Sequence, residues 1–348
     1  MNNKFYCGID ISKRKFDTVL LIDNKSFHRV FENTVIGIQN FEDWILSKTQ
    51  KNSMIHVCME ATNIYHELLA FSLSEKDNFI VSVINPRKSN KFAQMLEDSK
   101  TDKIDAKQLA LFCEKFKPEK FIPPSKELRE LKELTRLMDN LIELRAIQKV
   151  RLQTFNTEIA AHGVLSTIKS IDETIAETQK KINNCYDKSI ELKNYSKLLK
   201  SIPAFGERVS SVLLSEIKKD DKGNFHPKKM TKYFGLNVKK FDSGDSVHKK
   251  PRIVKYGSPR VRNMLYMSAL VSIVHNPVMK EFYERLVNKG KPKKVALVAI
   301  MRKLLVLACT ILNSNKPYDA EYAFKNMYKQ EKRTHNNVIY CDKFTQAS

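Results

Sequence analysis

The first 120 residues alternate strand-like and helix-like patterns, and this alternation limits the possible folds more than any other feature of the chain. Apolar, β-rich runs occupy residues 5–11, 17–22, 27–31, 54–59 and 79–84. Helical periodicity appears at residues 37–46 and 65–73, and it returns from Ile104 onward. Three closely spaced strands followed by alternating helices and strands predict a mixed sheet with helices packed on its faces.

Two acidic residues stand where predicted strands end. Asp10 lies near the end of the first strand, and Glu60 follows the fourth. Sites in open α/β sheets form outside the carboxyl ends of the strands. We therefore expect both carboxylates at one edge of the sheet.

A second pair of acids, Asp102 and Asp105, lies in the stretch Lys-Thr-Asp-Lys-Ile-Asp-Ala at residues 100–106. In the first turn of a helix, two residues three apart share one face. Taken alone, the pair is typical of a charged first turn, because the helix dipole favours acids there. A helix or loop here would close over the same sheet edge as the first two acids.

The four carboxylates together offer the oxygen ligands that Mg²⁺ or Mn²⁺ prefers. Such ions support phosphodiester cleavage by activating a nucleophile and stabilising the leaving oxygen. In a strongly basic chain, this set favours metal-dependent phosphoryl transfer. Asp17, Glu97 and Asp98 are rival acids that rank lower, since Asp17 begins a strand and the other two lie in a predicted loop.

Positive charge is spread over nearly the whole chain. The formal net charge is +22 over 348 residues, and the excess extends from Lys13 to Arg333. Such an excess in a foldable chain most often indicates a polyanionic partner, usually nucleic acid. A solvated basic surface without a partner is the alternative.

Cysteine spacing and hydropathy exclude several other classes. The six cysteines include no C-x-x-C pair, which argues against a zinc knuckle. Cys7 and Cys58 lie in strand-like runs and are interpreted as small core residues. The sequence shows no apolar signal region and no apolar stretch that we judge long enough to span a bilayer. We predict a cytoplasmic protein without a membrane partner.

Residues 121–195 predict a long helical hairpin. Leucines repeat at helical spacing from Leu128 to Leu144, and an isoleucine stripe runs from Ile168 to Ile182. Gly163 is predicted to separate the two helices. The narrow apolar seam fits packing within one chain or a coiled-coil arm that joins two chains, and we favour assembly.

Residues 196–314 predict a mostly helical domain, and residues 315–348 a polar tail. The run Ile-Pro-Ala-Phe-Gly at residues 202–206 has the layout of a helix-hairpin-helix, in which N–H groups of the turn, near Gly206, contact a DNA phosphate. Ala204 stands where a glycine would bring the backbone closer. A plain turn between two helices is the alternative.

The segment that follows combines a turn signal with dense positive charge. Ser243 precedes a glycine, and most serines in such pairs only turn the chain or cap a helix. As a nucleophile, its hydroxyl would need activation by a metal or a base. The alternatives by proximity are Ser246, Ser258, Ser268 and, as a base, His248. The predicted phosphate contacts, whose affinity should fall with salt, are Lys249, Lys250, Arg252, Lys255, Arg260 and Arg262.

These motifs together resemble the DEDD transposases, the insertion-sequence recombinases that include Piv-type DNA invertases and bridge-RNA-guided recombinases. The resemblance extends to about Leu312. Its acid motifs are Gly8-Ile9-Asp10-Ile11-Ser12, Met59-Glu60-Ala61-Thr62 and Lys100-Thr101-Asp102-Lys103-Ile104-Asp105-Ala106. Its C-terminal motifs are Ile202-Pro203-Ala204-Phe205-Gly206, Phe234-Gly235-Leu236, Ser243-Gly244, Lys255-x-Gly257 and Arg260-x-Arg262.

The resemblance implies an RNase H-like (RuvC-like) domain over residues 1–120 that binds Mg²⁺ through Asp10, Glu60, Asp102 and Asp105. It implies that Ser243 attacks a DNA phosphate and forms a covalent serine–DNA intermediate. It also implies a dimer or tetramer, donor and target DNA as substrates, and a structured bridge RNA that reads sequence by base pairing. In that setting, the neighbours Lys100 and Lys103 would steer DNA phosphate towards the acids.

Two other functions stay open on the residues alone. A nuclease of the Holliday-junction type would use the acids to hydrolyse DNA with water, which makes Ser243 incidental. A non-catalytic nucleic-acid-binding protein would keep the acids for structural reasons.

Overall fold

The computed structural model describes residues 5–23, 25–50, 53–61, 64–96, 101–220, 222–243, 247–254 and 256–321. For residues 239–243 and 247–251 the description extends to the backbone alone. The chain divides into two compact units, Met1–Pro124 and Ser125–Ser348.

The first unit is a five-stranded mixed sheet with helices on both faces. Its strands are β1 (Phe5–Ile11), β2 (Lys15–Ile22), β3 (Lys25–Glu32), β4 (Ile55–Glu60) and β5 (Phe79–Ile84). Its helices are α1 (Val35–Lys48), α2 (Glu67–Ser74), α3 (Pro86–Ala93) and α4 (Asp102–Phe116). The strand order is β3-β2-β1-β4-β5, with β1 to β3 antiparallel and β4 and β5 parallel to β1. The mixed sheet and the predicted order of elements are confirmed as far as β5, whereas α3 is a further helix that the sequence analysis did not predict.

Alternation along the strands separates two hydrophobic layers. Ile9 and Val57 belong to the buried cluster that includes residues of α1 and α2. Tyr6 and Cys58, three positions and one position away on the same strands, belong to the cluster that includes α4. Because successive side chains point to opposite faces, each strand supplies both layers. Gly8 faces α4 and has no side chain, so α4 lies directly on the backbone of β1.

The second unit is mostly helical. Its helices are α5 (Lys126–Leu152), α6 (Glu158–Lys188), α7 (Ile190–Lys200), α8 (Glu207–Glu216), α9 (Pro227–Tyr233), α10 (Pro259–His275), α11 (Pro277–Asn288) and α12 (Lys293–Ser314). Between α9 and α10, β6 (Val238–Ser243) and β7 (Val247–Ile253) pair in an antiparallel two-stranded sheet. The sequence analysis did not predict these two strands.

Helices α5 and α6 form the predicted hairpin, but its turn lies elsewhere. Residues 153–157 connect the two helices, and Gly163 lies inside α6. The predicted break at Gly163 is wrong, because one glycine costs a helix interior only about 1 kcal/mol. Leu131 and Ile182, from the two helices, share one buried cluster with Leu304 of α12. The seam therefore packs within one chain, and a coiled-coil contact between chains stays a prediction.

Helix α12 corrects the expectation that every apolar stretch is too short to span a bilayer. It has 22 residues and is apolar enough to pass such a test by length and composition. However, ten of its residues are buried inside the second unit, and Ile300 and Leu304 have no exposed surface. The arrangement is that of a core helix, whose apolar surface is covered by protein.

Ala204, in the turn between α7 and α8, has a φ of +81°, in the region that glycine adopts most readily. We expect Ala204→Gly to raise the free energy of unfolding by about 0.5–1 kcal/mol, because the strain on Cβ disappears. Urea denaturation followed by far-UV circular dichroism measures the change. Ala176→Gly is the matched control, since Ala176 is exposed inside α6. This substitution should lower the free energy of unfolding by about 1 kcal/mol. A destabilised Ala204→Gly variant would contradict a left-handed residue at this position.

Candidate active site

Strand pairing places the first two acids side by side. In the parallel pair of β1 and β4, Ile9 is opposite Met59, so the next residues along, Asp10 and Glu60, lie at neighbouring strand ends. Both lie on the face that carries Gly8, because side chains on a strand alternate with a period of two. That face is the one covered by α4.

The N-terminus of α4 supplies the second pair. Thr101 caps the helix, and its hydroxyl oxygen accepts a hydrogen bond from the Ile104 amide at 3.3 Å. Asp102 and Asp105 therefore lie in the first turn, as predicted. Asp102 is exposed and Asp105 is half-buried. The direct contact of α4 with β1 at Gly8 brings this turn over the end of β1.

The four acids share one electrostatic environment. The pKa of the half-buried Asp10 carboxyl is raised from 3.8 to about 6. Burial is the largest cause, followed by the negative charges of Asp105, Asp102, Glu60 and Asp17. Desolvation and like charges both disfavour the ionised form of a carboxyl. The structure therefore brings together all four of the acids that the sequence analysis singled out.

Asp17 is a fifth acid, which the sequence analysis ranked too low. It is buried and lies opposite Asp10 in the antiparallel pair of β1 and β2. His28 Nε2 lies 2.9 Å from one oxygen of Asp17, and Lys15 Nζ lies 3.1 Å from the other. The short link between the two strands was the signal that could have identified it.

Lys15 places a positive charge among these acids. Its ammonium lies 3.1 Å from an oxygen of Asp17 and 3.0 Å from an oxygen of Asp102. These hydrogen bonds raise the pKa of Lys15, with the bond to Asp102 the largest cause. A cation is thus accommodated between carboxylates of β2 and α4, and hard oxygen donors of this kind fit Mg²⁺ or Mn²⁺.

Ser89 positions Glu60 and was not anticipated from the sequence. Its buried hydroxyl hydrogen-bonds to Oε1 of Glu60 from α3. Helix α3 begins after Asn85, whose side chain accepts a hydrogen bond from the Arg87 amide at 3.0 Å. A fixed hydroxyl next to the carboxylate limits the rotamers that Glu60 can adopt, which keeps its oxygens at the strand end.

The other predicted residues fall in different settings. Lys103 is exposed in the first turn of α4, and Arg252 is exposed on β7. Gly206 is the exposed N-cap of α8, and no described atom lies within 4 Å of the position a Cβ would take. Ser243 ends β6. The backbones of Lys249 and Lys250 lie in β7, and Lys100 and Lys255 lie outside the described residues.

Two of the predicted phosphate contacts make internal bonds instead. The guanidinium of Arg260 pairs with Asp139 and Glu216, and its side chain is only 16% exposed. Arg262 Nη1 donates to three backbone carbonyls, those of Phe234, Tyr256 and Gly257. Both arginines therefore have structural contacts within the unit, and their role as phosphate contacts stays a prediction. Both stabilise the second unit: Arg260 through ion pairs with acids and Arg262 through hydrogen bonds to uncharged carbonyls.

Two protein-family profiles match the chain. The DEDD transposase profile of the IS110 type, described as a transposase, matches residues 7–160. The profile described as the transposase IS116/IS110/IS902 family matches residues 196–284. A carboxylate cluster at the edge of a mixed sheet, together with these matches, defines the class as transposases, which recombine DNA. The DEDD match also implies an RNase H-like fold for the first unit.

Curated relatives support the same class. The pilin gene-inverting protein of Moraxella bovis is 30% identical over 321 residues, which cover 91% of this chain and 98% of that protein. The pilin gene-inverting protein of Moraxella lacunata has the same identity and coverage. An uncharacterized 43.6 kDa protein of insertion element IS110 from Streptomyces coelicolor is 23% identical over 188 residues, 53% of this chain and 44% of that protein. The chain belongs to the IS110 family of transposases and recombinases.

Proposed function

We propose that this protein cuts and rejoins the DNA strands of a mobile element, using a metal-binding acid cluster and a serine nucleophile. The observation that carries the metal-binding part of the proposal is the convergence of the Asp10 carboxyl with those of Glu60, Asp102 and Asp105. Carboxylates that repel one another without a cation are stabilised when a divalent cation binds between them.

The donor set fits Mg²⁺ or Mn²⁺. Asp10, Glu60, Asp102 and Asp105 would hold the ion, and Ser89 would keep Glu60 oriented through its hydrogen bond. When bound, the ion supplies stabilisation of the charge that develops on the phosphate and on the leaving oxygen. The ammonium of Lys15 would give up its contact with Asp102 as the cation arrives, and it retains Asp17 as a partner.

Ser243 is the proposed nucleophile, and this assignment rests on the family resemblance. Ser243 lies where β6 ends, opposite Val247 of β7, and the basic residues Lys249, Lys250 and Arg252 follow it. In the reaction, the serine oxygen bonds to phosphorus while the bond to the leaving deoxyribose oxygen breaks. The serine proton passes to a base or to solvent. A second DNA hydroxyl then reverses the step, so each phosphodiester bond is exchanged without an external energy source.

Substitution of Ser243 tests the nucleophile. We expect Ser243→Ala to abolish the covalent protein–DNA adduct and to lower strand exchange by on the order of 10³-fold, because no other step replaces a covalent nucleophile. The adduct is measured as labelled DNA that stays on the protein in denaturing gels. Ser258→Ala is the matched control, because the Ser258 side chain caps α10 and its loss costs about 1 kcal/mol of stability.

A wild-type protein that nicks DNA without an adduct would overturn the serine mechanism. That result would favour the nuclease that hydrolyses with water. DNA recombination that survives loss of both Asp102 and Asp105 carboxylates in Mg²⁺ would instead favour a non-catalytic role for the acids.

We also propose that a structured bridge RNA pairs with donor and target DNA, and that the protein acts as a homo-oligomer. The net charge of +22 supports binding to phosphate backbones, with affinity that falls as salt rises. Sequencing the nucleic acid that copurifies identifies an RNA, and light scattering gives the number of chains. The relatives named for pilin gene inversion make inversion a second candidate for the natural reaction beside insertion.

A further inference from the structure

Two thiols and an imidazole meet between β4 and α4. His56 and Cys58 are two residues apart on β4 and therefore share one face, and Cys113 faces them from α4. A ring nitrogen of His56 and the sulfurs of Cys58 and Cys113 all lie within 4.8 Å of one another. Thiolates and a neutral imidazole form the donor set that zinc prefers, and they differ from the hard oxygen donors of the acid cluster.

A hydrogen-bond chain fixes the tautomer of His56. Its Nε2 lies 2.9 Å from the hydroxyl of Ser82, and that hydroxyl donates to the backbone carbonyls of Pro118 and Glu119 at 3.0 and 2.9 Å. Because the hydroxyl proton is engaged by these carbonyls, Ser82 accepts from the Nε2–H of His56. The lone pair is therefore on Nδ1. Metal-binding histidines are commonly oriented by such a bond from the other ring nitrogen.

The neutral imidazole of His56 suits a metal. Burial lowers the pKa of His56, which keeps the imidazole neutral and able to ligate. The pKa of the Cys113 thiol is raised. Burial is the largest cause, and a hydrogen bond with Cys58 is the second. The Cys58 and Cys113 side chains are both fully buried. Zinc binding would displace the thiol protons, and the charge of the ion would offset the cost of burying thiolates.

We propose that His56, Cys58 and Cys113 form a zinc site that fastens α4 to β4. Three protein ligands leave a fourth position for water, and His56 is the half-buried member of the set. Cys113 follows Asp105 by eight residues on the same helix, which separates the two by about 12 Å. The zinc site would thus hold the far end of the helix whose first turn carries two of the acids.

Cobalt binding by the full-length protein tests the site without any substitution. The protein is purified under reducing conditions, treated with a chelator, and titrated with Co²⁺ in excess Mg²⁺, which occupies the acid cluster. We expect one equivalent of Co²⁺ per chain with a thiolate-to-cobalt charge-transfer band, displaced by one equivalent of Zn²⁺. Zinc should also slow hydrogen exchange in the last turns of α4. Absence of the charge-transfer band in the folded wild-type protein would overturn the assignment.

Serine variants test which thiols ligate. Cys58→Ser and Cys113→Ser should each lose the charge-transfer band and the rise in melting temperature with zinc. Cys7→Ser is the matched control, because Cys7 is equally buried but belongs to the cluster on the other face of the sheet. A band that persists in Cys113→Ser overturns the proposal. A Cys58–Cys113 disulfide that forms in air also overturns the proposal if the reduced protein binds no zinc. The thiols would then be a redox pair.

Discussion

Gly8→Ala is expected to destabilise the first unit by about 3 kcal/mol and to abolish recombination, because the added methyl group overlaps another backbone. A Cβ on Gly8 would lie 2.1 Å from the carbonyl oxygen of Ala106 and 2.2 Å from the amide nitrogen of Ala110. Both atoms are in the main chain of α4, so no change of rotamer relieves the overlap. The helix must move away from β1, and its first turn, which carries Asp102 and Asp105, moves with it.

The single tryptophan of the sequence, Trp44, reports this change. It is buried on α1 within the first unit, so its fluorescence during urea denaturation follows that unit. Gly163→Ala is the matched control, since Gly163 is exposed inside α6 and no described atom lies within 4 Å of its added Cβ. That variant should be stabilised by about 0.5–1 kcal/mol. An unchanged urea midpoint for Gly8→Ala would contradict the close approach of α4.

The fold of the first unit was predictable because its signals are local. Strands β1 and β2 are buried along almost their whole length, which their apolar runs predict, and short polar links between the first three strands leave little choice but a meander. Asp10 and Glu60 were identified by position alone, since both end strands that run in the same direction. The position of Asp17 beside the acid cluster depends instead on the strand register that sets it opposite Asp10. The apolar pattern excludes only shifts that move side chains to the other face, so the turn type and the loop length decide the register of a hairpin.

The features of the second unit that the sequence analysis did not anticipate have a different physical origin. The positive charge of Arg260 is visible in the sequence, but its partner Asp139 is 121 residues away. Whether a guanidinium meets solvent or a buried carboxylate is a property of tertiary packing. The strands β6 and β7 were missed because their lysines mask any alternation. The three proposed zinc ligands lie on two elements. Cys113 follows His56 by 57 residues in the chain, so no local spacing could reveal the set.

Asp10→Asn is expected to change stability and activity in opposite directions. The folded-state pKa of Asp10 is about 6, above its ordinary value of 3.8, so the folded protein binds a proton more tightly than the unfolded chain does. Stability of the metal-free protein therefore falls as pH rises between those two values and stays lower above them. The amide carries no charge, so the variant should lack this fall. At pH 7.5 in a chelator we expect it to be more stable by about 1 kcal/mol, after allowance for solvent screening of a half-buried group.

Magnesium should reverse that order. The ion stabilises the wild-type protein, because it binds the folded carboxylate cluster and not the unfolded chain. The side-chain amide that Asp10→Asn introduces is a weaker ligand, so the variant should gain little, and its DNA cleavage should fall by on the order of 10³-fold. Trp44 fluorescence in urea, with and without Mg²⁺, gives both stabilities. Asp43→Asn is the matched control, because Asp43 is exposed on α1 and should change neither quantity. If Asp10→Asn and the wild-type protein gain equal stability from Mg²⁺, then Asp10 is not a ligand, and its raised pKa reflects burial beside other acids alone.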